Sequence, residues 1–254
     1  MHNLIVLGSG RSGTSMMTGI LTSKNGYYLG DNLIGKNERN PKGNFESRDV
    51  NEINEEILAR VLPEREDRLI HRFFPSPVPV SPQRWLAQLP METTFPDNEA
   101  LTSRIQQVIR TEPYCIKDPR MSYTYSYWKN HLSAHRVICV FRHPGQTHAS
   151  IKKELSYAPH LKGFRVSDSG LYNVWLLMYS HILRSFNQAD INDWLFVEYD
   201  QLFEEGCLRK IEDFIQAKVD HEFAESRFNR SGYDKKVPGE VMAMYERLKG
   251  LSRK

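Results

Sequence analysis

The residues that can do chemistry fall into a few clusters, and the first is Gly8-Ser9-Gly10-Arg11-Ser12-Gly13-Thr14-Ser15. It follows the apolar run Leu4-Ile5-Val6-Leu7 and runs into an apolar, helix-like segment. A glycine-rich turn lets successive N–H groups point inward, and the helix that opens from it adds unpaired amides and the positive end of its dipole. That combination suits an anion, most naturally a phosphate. Gly8 to Gly13 has the G-x-x-x-x-G spacing of a nucleotide-triphosphate loop, with Ser15 in the usual hydroxyl position. The Lys of such a loop is replaced by Thr14, and the cation sits at Arg11 instead. An ATP or GTP hydrolase needs that Lys, together with Mg2+ held by the hydroxyl and an acidic strand end. Here the next strongly apolar strand, Val137-Ile138-Cys139-Val140-Phe141, ends in Arg142. The loop therefore reads as a cradle for a phosphate-like group, working without metal.

Arg142 is the second anchor. It stands at a strand end before the turn His143-Pro144-Gly145, and Ser150 follows about two helical turns later. An arginine fork and a hydroxyl so placed can share one phosphate. A third cluster, Lys117-Asp118-Pro119-Arg120, leaves the short strand Tyr114-Cys115-Ile116. A fourth residue, Glu46, lies beside Phe45 in the polar stretch Gly30 to Ser47. If the acceptor is a hydroxyl, a base is needed, and both carboxylates qualify. Asp118 stands at a strand end but is equally suited to cap a turn before Pro119; Glu46 is equally suited to the start of a helix.

The elements that must position these residues alternate between strand and helix. Strands are expected near Leu4–Leu7, Tyr114–Ile116, Val137–Phe141 and Trp194–Val197. Helices are expected over about 12–23, 49–62, 98–111, 146–154, 169–189, 208–215 and 238–248. Tyr123, Tyr125, Tyr127 and Trp128 form an aromatic-rich segment that suits core and rim better than a substrate cage. The pattern predicts an α/β fold of one domain over residues 1–254: three layers, a parallel sheet with helices on both faces, like the P-loop nucleotide hydrolases, with helical and loop insertions. Ligands of such sheets sit at the carboxyl ends of strands, where every cluster named above falls. The segments 30–47, 63–82 and 157–168 are expected to form an acceptor pocket, with Phe73, Phe74, Tyr157 and Phe164 making it partly apolar.

Taken together, Gly8 to Ser15 and the Val-Phe-Arg-His-Pro-Gly run with Ser150 resemble the sulfotransferases that use 3′-phosphoadenosine 5′-phosphosulfate (PAPS). The Lys117 to Arg120 segment and Asn40-Pro41-Lys42-Gly43-Asn44-Phe45-Glu46-Ser47 resemble segments of bacterial members. The resemblance implies that Arg11, Ser12, Gly13, Thr14 and Ser15 grip the phosphosulfate, that Arg142 and Ser150 read the 3′-phosphate, and that PAP is the product. Lys117 is suited equally to assisting the bridging oxygen and to a solvated or salt-bridged place, and Arg230, with Ser231 and Gly232, suits an exposed loop better than closure over the 3′-phosphate. The cytosolic small-molecule members carry a His two residues after a Lys; after Lys117 that position is Pro119. The base therefore stays open between Glu46 and Asp118. Sulfuryl transfer is mainly positioning and charge stabilisation, by analogy with phosphoryl transfer, and a singly charged group needs no Mg2+. The rival readings are a Mg2+-dependent nucleotide phosphotransferase and a catalytically silent nucleotide-binding protein.

Composition bounds the partners. The chain has 254 residues, 40% hydrophobic and 26% charged, and a net charge of +3. That suits a small anionic ligand and is too weak an excess to argue for nucleic acid. A small-molecule, glycan or lipid acceptor fits equally, and oligomeric state leaves no mark in the pattern. Cys115, Cys139 and Cys207 show neither metal spacing nor a disulfide framework, which points to a reducing cytoplasm. A strand beginning at the third or fourth residue leaves no room ahead of it for a signal peptide, and no run is long enough for a membrane span.

Overall fold

The computed structural model describes residues 1–35, 42–65, 75–224 and 236–253. Its centre is a parallel sheet of β1 (Asn3–Leu7), β2 (Cys115–Lys117), β3 (His135–Phe141) and β4 (Trp194–Glu198), in the order β2-β1-β3-β4. Strand β1 is buried at all five positions, as a central strand covered on both faces must be. Leu7 pairs with Cys139 across β1 and β3, and Phe141 with Glu198 across β3 and β4. The chain turns outward to β2 on one side of β1 and to β4 on the other. The carboxyl ends of β1 and β3 therefore form the switch point, the crevice where open sheets of this kind take ligands.

Alternating side chains divide the core into two faces. Ile5, Leu7, Val137, Cys139 and Phe141 look toward α2 (Arg48–Ala59), α3 (Glu99–Val108), α4 (Met121–Trp128), α6 (Asp168–Ser185) and α8 (Gly239–Ser252). Leu4, Val6, Ile138 and Val140 look toward α1 (Thr14–Thr22) and α7 (Glu205–Ile215). Helix α5 (Pro144–Leu155) leaves β3 and packs beside α6. Each fully buried Leu, Ile or Val contributes about 1.5–3 kcal/mol, so the sheet is a rigid platform for what its strand ends carry.

Local chemistry sets the helix starts. Asn98 Oδ1 accepts the Leu101 N–H at 2.9 Å, and Ser167 Oγ accepts the Gly170 N–H at 3.0 Å. His143 Nδ1 accepts the Gly145 N–H at 3.2 Å, and Pro144 opens α5. The expected helices are present with ends shifted by a few residues: α6 stops at Ser185, and α8 continues to Ser252. Helix α4 is an addition to the expected set. Tyr123 OH donates to the Ala87 carbonyl at 2.6 Å and Trp128 Nε1 to Asn54 Oδ1 at 2.8 Å, so the aromatic segment is core. The two ends of the 30–47 stretch are tied together, with the Ile34 N–H donating to the Glu46 carbonyl at 2.7 Å. Asn40, Pro41, Phe73, Phe74, Arg230, Ser231 and Gly232 lie outside the described residues.

One surface carboxylate gives the fold a pH dependence. Glu212 accepts the Val219 N–H, Lys218 Nζ and His221 Nε2, each at 3.1 Å. The Val219 amide first, then Lys218 and His221, hold its pKa at about 2 against the opposing effect of burial. A depressed carboxylate pKa stabilises fully above the unfolded value of 4.5 and is lost as pH falls toward 2. Glu212→Gln is therefore expected to lower the melting temperature at pH 7, with the gap to the parent closing as pH falls through that window. A gap that stays constant down to pH 2 contradicts this assignment.

Candidate active site

The loop after β1 is held from outside by residues far away in sequence. The Ser9 N–H donates to Tyr179 OH at 3.3 Å, Tyr179 OH donates to the Val140 carbonyl at 2.8 Å, and Ser122 Oγ donates to the Gly8 carbonyl at 2.9 Å. Trp85 lies directly on Gly10: a Cβ there would fall 2.5 Å from its ring. Gly13 has φ 100°, and a Cβ would meet the Tyr199 ring at 2.2 Å. Both positions thus require glycine, one for close approach and one for conformation as well.

The hydroxyls of the loop divide their work. Ser12 is buried, and its Oγ donates inward to the Ser9 carbonyl at 2.5 Å. Thr14 is also buried, and the Ser12 N–H donates to the Ser9 carbonyl at 3.2 Å, so Gly13 and Thr14 offer the loop's backbone amides. No side chain caps the start of α1, which leaves its first-turn N–H groups for an anion. Ser15 Oγ donates to the Asn44 carbonyl at 3.2 Å and accepts from Lys117 Nζ at 3.1 Å. Arg11 takes φ 69°, a left-handed conformation that costs about 1–2 kcal/mol in a non-glycine residue and turns the side chain away from the loop. Its Nε lies 3.1 Å from Ser150 Oγ and 3.3 Å from Glu154 Oε2.

Arg142 is 6% exposed and stands one strand over from the loop. Its Nε donates to Gln146 Oε1 at 3.1 Å, and its guanidinium lies 4.4 Å from the centre of the Tyr199 ring. Burial pushes its pKa below the ordinary value; Tyr199 and Asp200 oppose this, and the charge of Arg11 adds to it. The two arginines therefore share one electrostatic neighbourhood. The Tyr199 ring packs both against Gly13 and under the Arg142 guanidinium.

The two candidate bases sit in different settings. Glu46 Oε1 accepts from Lys117 Nζ at 2.5 Å, and Oε2 accepts from Asn51 Nδ2 at 3.2 Å. Lys117 is buried and links Glu46 to the loop at Ser15. Asp118 is wholly enclosed: it accepts the Arg120 N–H at 2.7 Å and Arg120 Nη1 at 3.2 Å. Burial pushes its pKa up against the pull of Arg120, and Glu46 adds to the rise. Arg120 also donates from Nε to Glu55 Oε1 at 2.5 Å and from Nη2 to the Pro82 carbonyl at 2.8 Å. Burial disfavours its charge, but Asp118 and Glu55 more than offset that and raise its pKa. Arg84 Nη1 completes the network on Glu55 at 2.7 Å. The structure thus gathers Arg11, Ser15, Lys117, Glu46, Arg142 and Ser150 around the strand ends, and holds Asp118 inside an ionic clamp beneath them. Among the described residues, no trio of His, Cys, Asp or Glu is arranged to hold a metal.

Glu154, Trp85 and Tyr179 complete the site without a place in any sequence motif considered above. Glu154 had a local signal, since it lies one helical turn beyond Ser150. Trp85 and Tyr179 had none: they reach the loop by long-range packing.

A parallel sheet with a glycine-rich loop after β1 and a buried arginine after β3 defines an α/β protein of the nucleotide-binding-loop class. Residues 3–221 match the profile of the Sulfotransferase family, and the chain belongs to that family. Two solved structures share its architecture. The sulfotransferase domain of the Synechococcus PCC 7002 olefin synthase is 13% identical, with 97% of this chain and 94% of that one covered and a TM-score of 0.56. The sulfotransferase domain of the curacin biosynthetic pathway is 12% identical, with 98% and 97% covered and a TM-score of 0.54. At such identities the likeness shows the fold, that of the P-loop-like sulfotransferases. A search of curated proteins finds no match. Among the described residues, no helix is long and apolar enough to cross a membrane.

Proposed function

We propose that this sulfotransferase takes its sulfuryl group from PAPS and transfers it to a hydroxyl or amine of a small-molecule, glycan or lipid acceptor, releasing PAP. The observation that carries this reading is the sharing of Tyr199 by the Gly13 turn and Arg142 at the ends of adjacent strands. Two anion sites that share one aromatic ring suit a nucleotide with phosphates at both ends of its ribose. In this reading the turn of Ser12, Gly13, Thr14 and Ser15, through the amides of the last three, holds the 5′-phosphosulfate with Arg11, while Ser12 braces the turn, and Arg142 with Ser150 holds the 3′-phosphate.

The chain's own groups then supply positioning, charge and a base. Glu46 takes the proton from the acceptor as its oxygen or nitrogen bonds to sulfur and the bond from sulfur to the phosphate oxygen breaks. Lys117, already within reach of Ser15 and Glu46, stabilises charge on the departing phosphate oxygen, and Arg11 and the loop amides share that load. No metal is required in this scheme. Asp118, fixed by Arg120, holds the strand end that presents Lys117. A reducing, cytoplasmic setting suits the three free cysteines.

Arg11 must be released to meet the nucleotide, because Glu154 and Ser150 hold it. Its side chain is 38% exposed, so the ion pair contributes no more than about 1 kcal/mol. Glu154→Gln is therefore expected to bind PAP roughly two- to five-fold more tightly. Titration calorimetry checks this, and weaker binding would mean that Glu154 helps the ligand instead of competing with it.

The reading itself is tested by following labelled sulfate from PAPS to a panel of phenols, sugars and lipid alcohols in EDTA. Transfer without metal is expected. Phosphate transfer from ATP that requires Mg2+, with no sulfate transfer, would overturn it in favour of a phosphotransferase. PAP binding without turnover on any acceptor would favour a silent nucleotide-binding protein.

A further inference from the structure

Helix α8 lies beyond the residues matched by the family profile, yet it reaches the second anion site. Val241, Tyr245, Leu248 and Ser252 are buried along one stripe of it. The Tyr245 ring stands edge-on to Phe141, 6.0 Å between centroids, and edge-on to His143, 5.0 Å between centroids. Those two residues flank Arg142. The Tyr245 hydroxyl donates to Glu198 Oε1. Glu198 ends β4 opposite Phe141 and directly precedes Tyr199, whose ring lies beneath the Arg142 guanidinium. Tyr245 thus touches the side chains on both sides of Arg142 and the residue that launches its aromatic support.

We infer that Tyr245 is a positioning residue for the Arg142 site, and that through it α8 sets the preference for a nucleotide carrying a 3′-phosphate. This rests on the PAPS reading above. The geometry is that of a clasp. His143 caps α5, which carries Gln146 and Ser150, so a shift of the His143 ring moves the partner of Arg142 and the serine together. Glu198 is held a second time, its N–H donating to Gln201 Oε1 at 3.0 Å, so the pull of the Tyr245 hydroxyl acts on a fixed point. Burial, and then the bond to Glu198, push the phenol pKa well above its ordinary value, so the hydroxyl remains a donor across the working pH range. Lys249 Nζ lies 5.3 Å from the ring centre and steadies it further. Arg142 is long and unbranched, and its guanidinium reads a phosphate only in a narrow range of orientations. A residue that fixes Phe141, His143 and Glu198 therefore acts first on the Arg142 site, and reaches the β1 loop only at second hand, through Tyr199.

The test compares two ligands on the full chain by calorimetry below its melting temperature: PAP, and AMP, which lacks the 3′-phosphate. Tyr245→Leu is expected to weaken PAP about ten-fold, the scale of one well-placed charge-assisted contact, and to change AMP by less than about two-fold. Tyr245→Phe keeps the ring and loses only the hydroxyl bond to Glu198, so it is expected to weaken PAP about three-fold with AMP unchanged; that selective loss carries the test if the leucine variant fails to fold. Equal weakening of PAP and AMP would reduce Tyr245 to a general structural residue and overturn the inference. So would an unchanged preference for PAP in both variants. A parent protein that binds PAP no better than AMP would instead remove the PAPS reading on which the inference rests.

Discussion

Arg120→Ala is expected to cost about 3–5 kcal/mol of stability, the scale for removing one partner from a buried ion pair. Arg120 is 4% exposed and is the shared partner of Asp118 and Glu55, with the Pro82 carbonyl as a third acceptor. Without it Asp118, already pushed toward its neutral form by burial, keeps only the backbone N–H at position 120, and Glu55 keeps only Arg84. At this chain length the loss corresponds to a fall in melting temperature of roughly 6–20 °C, read by circular dichroism or calorimetry. The variant should also lose turnover, because the clamp holds the strand end that presents Lys117. A melting temperature within about 2 °C of the parent would show that Asp118 and Glu55 find other partners and that the clamp is not the foundation of the site.

Glu46→Gln is expected to lower stability, because buried Lys117 loses its charged partner, and, at temperatures where the variant is folded, to keep PAP binding while lowering kcat by about 10²–10⁴-fold, the range for loss of a positioned base. Glutamine keeps the shape of the side chain and an oxygen for Lys117, but takes no proton at neutral pH. Asp118→Asn is the matched control. Its expected loss is chiefly in stability, since Asp118 is enclosed and paired to Arg120. Steady-state transfer rates and melting curves for both variants separate the two carboxylates. If the asparagine variant at 118 kept its stability and lost the base step, while the glutamine variant at 46 turned over normally, the roles argued here would be exchanged.

The glycine-rich loop was legible because its signal is local. Gly8, Gly10, Arg11, Gly13 and Ser15 follow one another after an apolar strand, and the left-handed turn at Gly13 calls for glycine wherever it stands. The places of Arg142 at a strand end and of Ser150 in the second turn of the next helix were legible for the same reason. The different settings of Glu46 and Asp118 were not, because each sits beside a turn or helix start, and the partners and burial of each come from tertiary packing. That the Ser12 hydroxyl braces the turn on the Ser9 carbonyl had no mark in the pattern. Helix α4 was invisible because aromatic residues form helices weakly and Tyr123, Tyr125 and Tyr127 alternate like a strand; packing against Asn54 and Ala87 decides the matter. Tyr179, Trp85 and Tyr245 act on the site from distant parts of the chain, and no pattern of neighbours announces them.

In the proposed enzyme the β1 loop and Arg142 grip the two ends of one nucleotide. A crystal soaked with PAP in the presence of EDTA measures this directly. The 5′-phosphate is expected within hydrogen-bond distance of the amides of residues 13 to 15, the 3′-phosphate on Arg142 and Ser150, and Arg11 withdrawn from Glu154. A 3′-phosphate out of reach of Arg142, with the nucleotide lying elsewhere on the sheet edge, would contradict it.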